Sequence, residues 1–81
     1  MKLALYYYDA CPFCQRVLHV LPSLPAVQVE LKDTLEQPAF REELIEGGGK
    51  PMVPCLRIEV DEQVQWMYES LDIIAYLQSL A

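Results

Sequence analysis

The sequence predicts an α/β fold in the order β, α, β, α, β, β, α, a four-stranded mixed sheet flanked by helices. Three observations predict it. Leu3 to Tyr8 is an unbroken apolar run of strand length, as in a strand covered on both faces. Val27, Val29 and Leu31 alternate with Gln28, Glu30 and Lys32, the period of a half-exposed second strand, and a helical stripe separates the two runs. A right-handed crossover then lays these strands parallel. Late in the chain, Cys55–Val60 and Val64–Tyr68 flank the acidic tip Asp61-Glu62-Gln63, which reads as a hairpin.

The first strand ends near Asp9. Pro12 suits the first helical turn, where its missing N–H is not needed, and Cys14, Val17, Leu18 and Leu21 recur at helical spacing. Gln15, Arg16 and His19 take the wet face, and Pro22 and Pro25 close the helix. Pro38 opens a second helix with Phe40, Leu44 and Ile45 inward and Arg41, Glu42, Glu43 and Glu46 outward. The Gly47-Gly48-Gly49 run stops it. Ser70 reads as the N-cap of a last helix, with Asp72 favoured in its first turn by the helix dipole. Ile73, Ile74, Leu77 and Leu80 form its buried stripe.

With 81 residues, 53% of them hydrophobic and 22% charged, the chain is expected to be one globular domain over residues 1–81 that folds alone. Its net charge of -6 repels phosphate backbones and anionic lipid, so neither nucleic acid nor a membrane surface is an expected partner. No run approaches the roughly 20 apolar residues of a membrane span, and no signal segment is expected. Three cysteines, an odd number, argue against a disulfide-stapled secreted framework and for a reducing, cytoplasmic setting.

Two of these form Cys11-Pro12-Phe13-Cys14, which reads either as a redox pair or as half of a metal site. As a redox pair, Cys11 falls at the helix N-terminus, where free N–H groups and the positive dipole stabilise a thiolate. Cys11 is therefore expected to be the exposed nucleophile. Cys14, one turn on and on the apolar stripe, is expected to be the buried resolving thiol. A metal reading would need Cys55 and His19 as further ligands. His19 stands eight residues after Cys11, roughly 12 Å along a helix and on its wet face, so no metal is expected and His19 is not a general base for Cys11. Cys55 reads as a small core residue entering a strand.

Val53-Pro54 precedes the third strand, where a cis bond would leave neighbouring backbone groups free for a ligand. Glu69-Ser70, at the start of the last helix, offers N–H donors, a hydroxyl and an acid for the two charges of an amino-acid head. The same pair also reads as an ordinary helix start.

Taken together and in this order, these features resemble the glutaredoxins and the glutathione-binding N-terminal domain of glutathione transferases, both of the thioredoxin-like fold. The resemblance covers essentially the whole chain. Cys11-Pro12-Phe13-Cys14 is similar to the glutaredoxin Cys-Pro-Tyr-Cys, and Gly49-Lys50-Pro51-Met52-Val53-Pro54 resembles the loop before the family's cis-proline. Tyr68-Glu69-Ser70-Leu71-Asp72-Ile73 resembles the transferase-type pattern. The resemblance implies that the Val53 backbone beside Pro54 holds the cysteinyl part of glutathione and that Glu69 and Ser70 hold its γ-glutamyl end. Lys50 or Arg41 would meet the glycine carboxylate. Phe13, beside the nucleophile with Tyr8 nearby, would form an apolar rim against glutathione and partner proteins. In two places the chain departs from the pattern: Tyr8-Asp9-Ala10 supplies no basic residue before Cys11, and Met52 stands where threonine or glutamine is usual.

The function implied is that of a monomeric dithiol glutaredoxin. It would reduce glutathione mixed disulfides and protein disulfides, with glutathione as co-substrate and no permanently bound cofactor. An alternative is a module in which glutathione and Cys11 ligate an iron-sulfur cluster shared by two chains, against which Pro12 argues. A transferase lacking its helical domain is not expected, on length.

Overall fold

The computed structural model describes residues Met1–Ala81. Its elements are β1 (Lys2–Tyr7), α1 (Pro12–Val20), a 3-10 turn over Leu21–Ser23, β2 (Glu30–Asp33), α2 (Pro38–Gly48), β3 (Cys55–Val60), β4 (Gln63–Met67) and α3 (Ser70–Ser79). They follow the predicted order. The sheet runs β2-β1-β3-β4, with β2 parallel to β1 and the other pairs antiparallel. This is the thioredoxin-like arrangement.

β1 lies inside the sheet and is covered on both sides, which explains its unbroken apolar run. On one face, Leu3, Leu5, Leu56 and Ile58 pack with Val17 and Leu24 and with Ile73 and Leu77 of α3. On the other, Ala4, Tyr6 and Cys55 pack with Leu44 of α2, and Phe40, Val53, Trp66 and Tyr68 border them. Leu5, Val17, Leu44, Leu56, Ile73 and Leu77 are fully buried, each stabilising the fold by about 1.5–3 kcal/mol relative to exposure.

The second strand begins later than its alternation predicts. Val27 and Val29 pack against the first core face from a loop, and the ladder starts only where Glu30 pairs with Ala4. Leu31 is 47% exposed, because β2 is an edge strand with β1 as its one neighbour. Glu43 is exposed, as its outward-facing reading predicts, and it also bonds back to the sheet. It accepts hydrogen bonds from Tyr6 Oη at 2.9 Å and Lys32 Nζ at 2.8 Å, so it satisfies a phenol otherwise buried beneath α2. The Lys32 ammonium, followed by the Tyr6 hydroxyl, holds the Glu43 carboxyl below its ordinary range.

The glycine run ends α2 as predicted, with Gly49 in the left-handed region at φ 89 and its N–H donating to Ile45 O at 3.0 Å. Gly47 serves a different purpose. A Cβ there would meet the Trp66 ring, itself held against Tyr6 with ring centroids 5.6 Å apart. In an open helix Gly→Ala gains up to about 1 kcal/mol. Here Gly47→Ala is expected to lower stability by about 1–2 kcal/mol, because α2 must lift off the sheet. Urea unfolding of the two proteins measures the difference.

Candidate functional site

α1 begins at Pro12, so Cys11 is its N-cap, with φ -82 and ψ 116. Its Sγ accepts the Cys14 N–H at 3.3 Å, and its carbonyl accepts the Gln15 N–H at 3.0 Å. The sulfur thus satisfies a first-turn donor that would otherwise lack a partner. Gln15 Nε2 also donates to Asp9 O at 2.8 Å, tying the preceding turn to the helix. Cys11 was expected to be exposed, but it is only 5% accessible. A side chain that caps its own helix folds back over the first turn and is shielded by it.

Cys14 is fully buried, as its place on the apolar stripe predicts. Burial, then the hydrogen bond with Cys11, pushes its thiol up to about 12. Cys55 is also fully buried, and desolvation pushes it up to about 11. All three cysteines are thiols. Cys55 belongs to the Ala4–Tyr6–Leu44 cluster, on the sheet face opposite the one α1 covers. No three His, Cys, Asp or Glu side chains come together as a metal set.

The Val53–Pro54 bond is cis, Pro54 is buried, and the Val53 backbone takes no part in the turn and loop hydrogen bonds of the chain. At the start of α3 the structure corrects the assignment of the cap. Glu69, not Ser70, is the N-cap, and Ser70 is the first helical residue. Glu69 adopts φ 66 and ψ 111, a conformation that costs a non-glycine residue about 1–3 kcal/mol. The strain follows from the sharp turn between β4 and α3, which leaves Glu69 exposed while Ser70 is nearly buried.

A cavity of about 410 Å³ opens between these segments. Phe13, Val53, Pro54, Glu69 and Ser70 line it, so five of the residues singled out from the sequence converge there. Neither Cys11 nor Cys14 is in the lining; Phe13, which lies between them in the first turn of α1, is. Lys50 is outside the lining, its ammonium 4.6 Å from the centroid of the Tyr68 ring, and Arg41 is outside it on α2. Arg16 and Asp72 do line the cavity, although neither was singled out as a site residue. Arg16 stands one turn beyond Phe13, and its guanidinium rests 5.2 Å from the centroid of that ring. The i, i+3 spacing was the available signal for this pair. Asp72 was legible only as a dipole-favoured helix-start acid. Phe13, Met52 and Leu71 form an apolar rim, 53%, 51% and 69% exposed.

The family profile described as the N-terminal domain of glutathione S-transferases matches residues 5–81. The chain belongs to that family. A glutathione S-transferase of Drosophila melanogaster, isozyme E7, is similar at 33% identity over 98% of this chain and 34% of its own, with a TM-score of 0.68. An epsilon-class glutathione S-transferase of the housefly Musca domestica superposes with a TM-score of 0.70 at 30% identity, covering 98% of this chain and 35% of its own. A maleylacetoacetate isomerase of Anaeromyxobacter dehalogenans, solved with glutathione in its active site, shares the fold at 22% identity and a TM-score of 0.67, over 98% of this chain and 37% of its own. No curated protein sequence matches the chain significantly. The chain therefore spans about a third of the length of these relatives. The family places a glutathione-related, thioredoxin-like domain here and does not single out the glutaredoxins.

The buried thiols set a pH signature. Cys14 and Cys55 have folded-state values near 12 and 11 against an ordinary 9.0, so the fold favours their protonated forms. That contribution to stability is fully present below pH 9 and is lost as pH rises through the folded values. In the Cys11→Ser protein, alkylation of Cys14 and Cys55 by iodoacetamide is expected to climb about tenfold per pH unit from pH 7 to 10 with no plateau. Mass spectrometry of the two modified peptides tests this, and a plateau near pH 9 would contradict it.

Proposed function

We propose that this domain binds glutathione in the cavity beside Cys11 and acts as a glutathione-dependent thiol–disulfide oxidoreductase of the dithiol glutaredoxin kind. The observation that carries the reading is the pairing of two unlike thiols one turn apart: a helix-capping Cys11 that receives an N–H, and a fully buried Cys14 behind it. Phe13, between the two, lines a cavity built from a cis-proline loop and the start of a second helix. In the first step the Cys11 thiolate attacks the glutathione sulfur of a mixed disulfide. A Cys11–glutathione disulfide forms, and the substrate leaves as its thiolate and takes up a proton. A second glutathione thiolate then attacks the glutathione sulfur of that intermediate. Oxidised glutathione leaves and Cys11 returns as the thiolate, so one glutathione thiol is consumed for each mixed disulfide reduced.

Cys14 is needed only when the substrate is a protein disulfide: its thiolate attacks the Cys11 sulfur of the Cys11–substrate disulfide, the second substrate thiolate leaves, and the Cys11–Cys14 disulfide that forms is reduced by two glutathione thiols. The Val53 backbone would hold the cysteinyl part of glutathione, and Glu69 and Ser70 its γ-glutamyl end. Phe13 and the exposed rim around it would meet glutathionylated or disulfide-bonded proteins. Three unpaired thiols suit a reducing compartment such as the cytoplasm.

The test is reduction of a small glutathione mixed disulfide, coupled to glutathione reductase. Serine is a good N-cap, so Cys11→Ser should fold and should lose at least about a hundredfold in rate. Cys14→Ser should keep the rate on the mixed disulfide within about threefold and lose reduction of a protein disulfide. Equal loss in both variants, or conjugation of glutathione to an aryl halide without disulfide reduction, would overturn the assignment.

A further inference from the structure

The two free edges of the sheet are unlike. β2 is charged at Glu30, Lys32 and Asp33, and a charged edge resists pairing with another chain. β4, the other edge, reads Gln63-Val64-Gln65-Trp66-Met67, with no charge and no proline. Gln63, Val64 and Gln65 are exposed, so neither layer of helices covers this part of the strand. Its one neighbour is β3, and no turn or loop hydrogen bond of the backbone reaches it, so a row of N–H and C=O groups faces outward without a partner in the chain. The charges lie just beyond the two ends of the strand and are opposite in sign. Glu62 precedes it, exposed and in no ion pair. Past the other end the Lys50 ammonium, also in no ion pair, rests 4.6 Å from the centroid of the Tyr68 ring.

We propose that β4 is a dimer edge: two copies of this chain pair β4 to β4, antiparallel, about a two-fold axis through Gln65. The register follows from ladder geometry. Opposite residues in an antiparallel pair either both exchange hydrogen bonds or both point them away, and the two kinds alternate, so the axis passes through a residue and not between two. Gln65 is the middle of the strand, and centring there pairs all of β4. Val64 of each copy then stands opposite Trp66 of the other, a branched side chain against an aromatic ring, beside the point where Gly47 of α2 packs on that ring. One step beyond the strand, Glu62 of each copy comes opposite Tyr68 of the other, whose ring carries the Lys50 ammonium, so an ion pair closes each end of the ladder. Both copies use the same patch, and the assembly therefore closes at two. Tyr68 also lines the cavity, so each acidic hairpin tip ends at the cavity wall of the other copy. A net charge of -6 on each copy opposes association, and a ladder of five residues buries less than the roughly 1,200 Å² of a stable interface, so the dimer is of micromolar strength.

The experiment is sedimentation velocity of the wild type from about 1 to about 500 μM, with reductant present so that disulfide-linked pairs are excluded. The mean mass should climb towards twice that of one copy. Gln65 is exposed and meets its own counterpart across the axis, so Gln65→Lys and Gln65→Glu should each fold and each weaken the dimer at least about tenfold. Mixing the two variants should restore it, because opposite charges then face each other across the axis. Glu62→Lys and Lys50→Glu should each weaken the dimer about threefold or more, and the double variant should recover it. No arm depends on glutathione or on a thiol, so the proposed thiol exchange stands or falls separately.

A wild type that stays a single copy at the highest concentration overturns the inference and leaves this edge to an extended segment of another protein. A dimer that survives in both Gln65 variants lies on another surface. A mixture of the two that associates no better than either alone refutes the two-fold register. Failure of the double charge variant to recover what each single one loses removes the pairing of Glu62 with Lys50, and with it the register that places them.

Discussion

The register between β1 and β3 is the constraint on which the site depends. Tyr6 pairs with Cys55, so the chain leaving β1 and the chain entering β3 meet at the same end of the sheet. The turn through Tyr8, Asp9 and Ala10 that delivers Cys11 therefore lies beside Val53 and Pro54. β4 returns antiparallel, with Met67 opposite Leu56, and so the strand exits at that end too. Glu69, Ser70 and the start of α3 arrive there with no long loop. Three segments far apart in sequence are brought together by ladder geometry alone. A slip of one residue would also exchange the two core faces, putting Leu5 under α2 and Tyr6 under α1 and α3. The apolar pattern that fixes the core thus fixes the site as well.

At that end, one turn of helix handles two thiols in opposite ways. Cys11 occupies the cap, where backbone donors converge, and Cys14 occupies the first inward position of the apolar stripe. Pro12 contributes because its ring favours the helical backbone at a position where an N–H would find no partner. The hydrogen bond between the Cys14 N–H and the Cys11 sulfur joins the two roles. After burial, which comes first, it discourages negative charge on Cys14. With no cation before Cys11 in the sequence, these backbone donors are the electrostatic support that the local chain provides.

The fold was legible because its strongest signals are periodic: the run in β1, the stripes of α1 and α3, the acidic hairpin tip and the glycine stop of α2. What failed was local. Leu31 alternates like an inward residue, yet an edge strand has only one neighbour to cover it, and alternation does not reveal edges. Ser70 is an excellent cap by residue type, but the turn out of β4 carries its reversal at Glu69 instead, at a cost in backbone strain that no propensity records. Cys11 was placed correctly, but its exposure was not, because a capping sulfur folds inward. Phe13, Val53, Pro54, Glu69 and Ser70 were legible as candidates, and converge on one cavity, because they sit at element boundaries, where motifs are written. Arg16 was missed because a charged residue on a helix's polar face looks like any solvated one until a second helix start is packed beside it.

The same burial bears on which route the proposed exchange takes. A thiol held near 12 exposes only about one part in 10⁵ as thiolate at neutral pH, and thiolate is the form that attacks a disulfide. Once Cys11 carries glutathione, its neighbour Cys14 has proximity in its favour but almost no ionised fraction. A free glutathione, with an ordinary thiol and millimolar supply, has the reverse. Proximity of a well-aligned group is worth about 10⁵ M or more in effective concentration, so the advantage of Cys14 survives its small ionised fraction only while its sulfur stays aligned with that of Cys11. Small shifts in the packing over Cys14 would decide between them. One turn on from Cys14, Val17 packs in one core cluster with Ile73 and Leu77 of α3. The choice between one-thiol and two-thiol chemistry is therefore set less by the Cys-x-x-Cys motif than by how tightly α3 closes against α1.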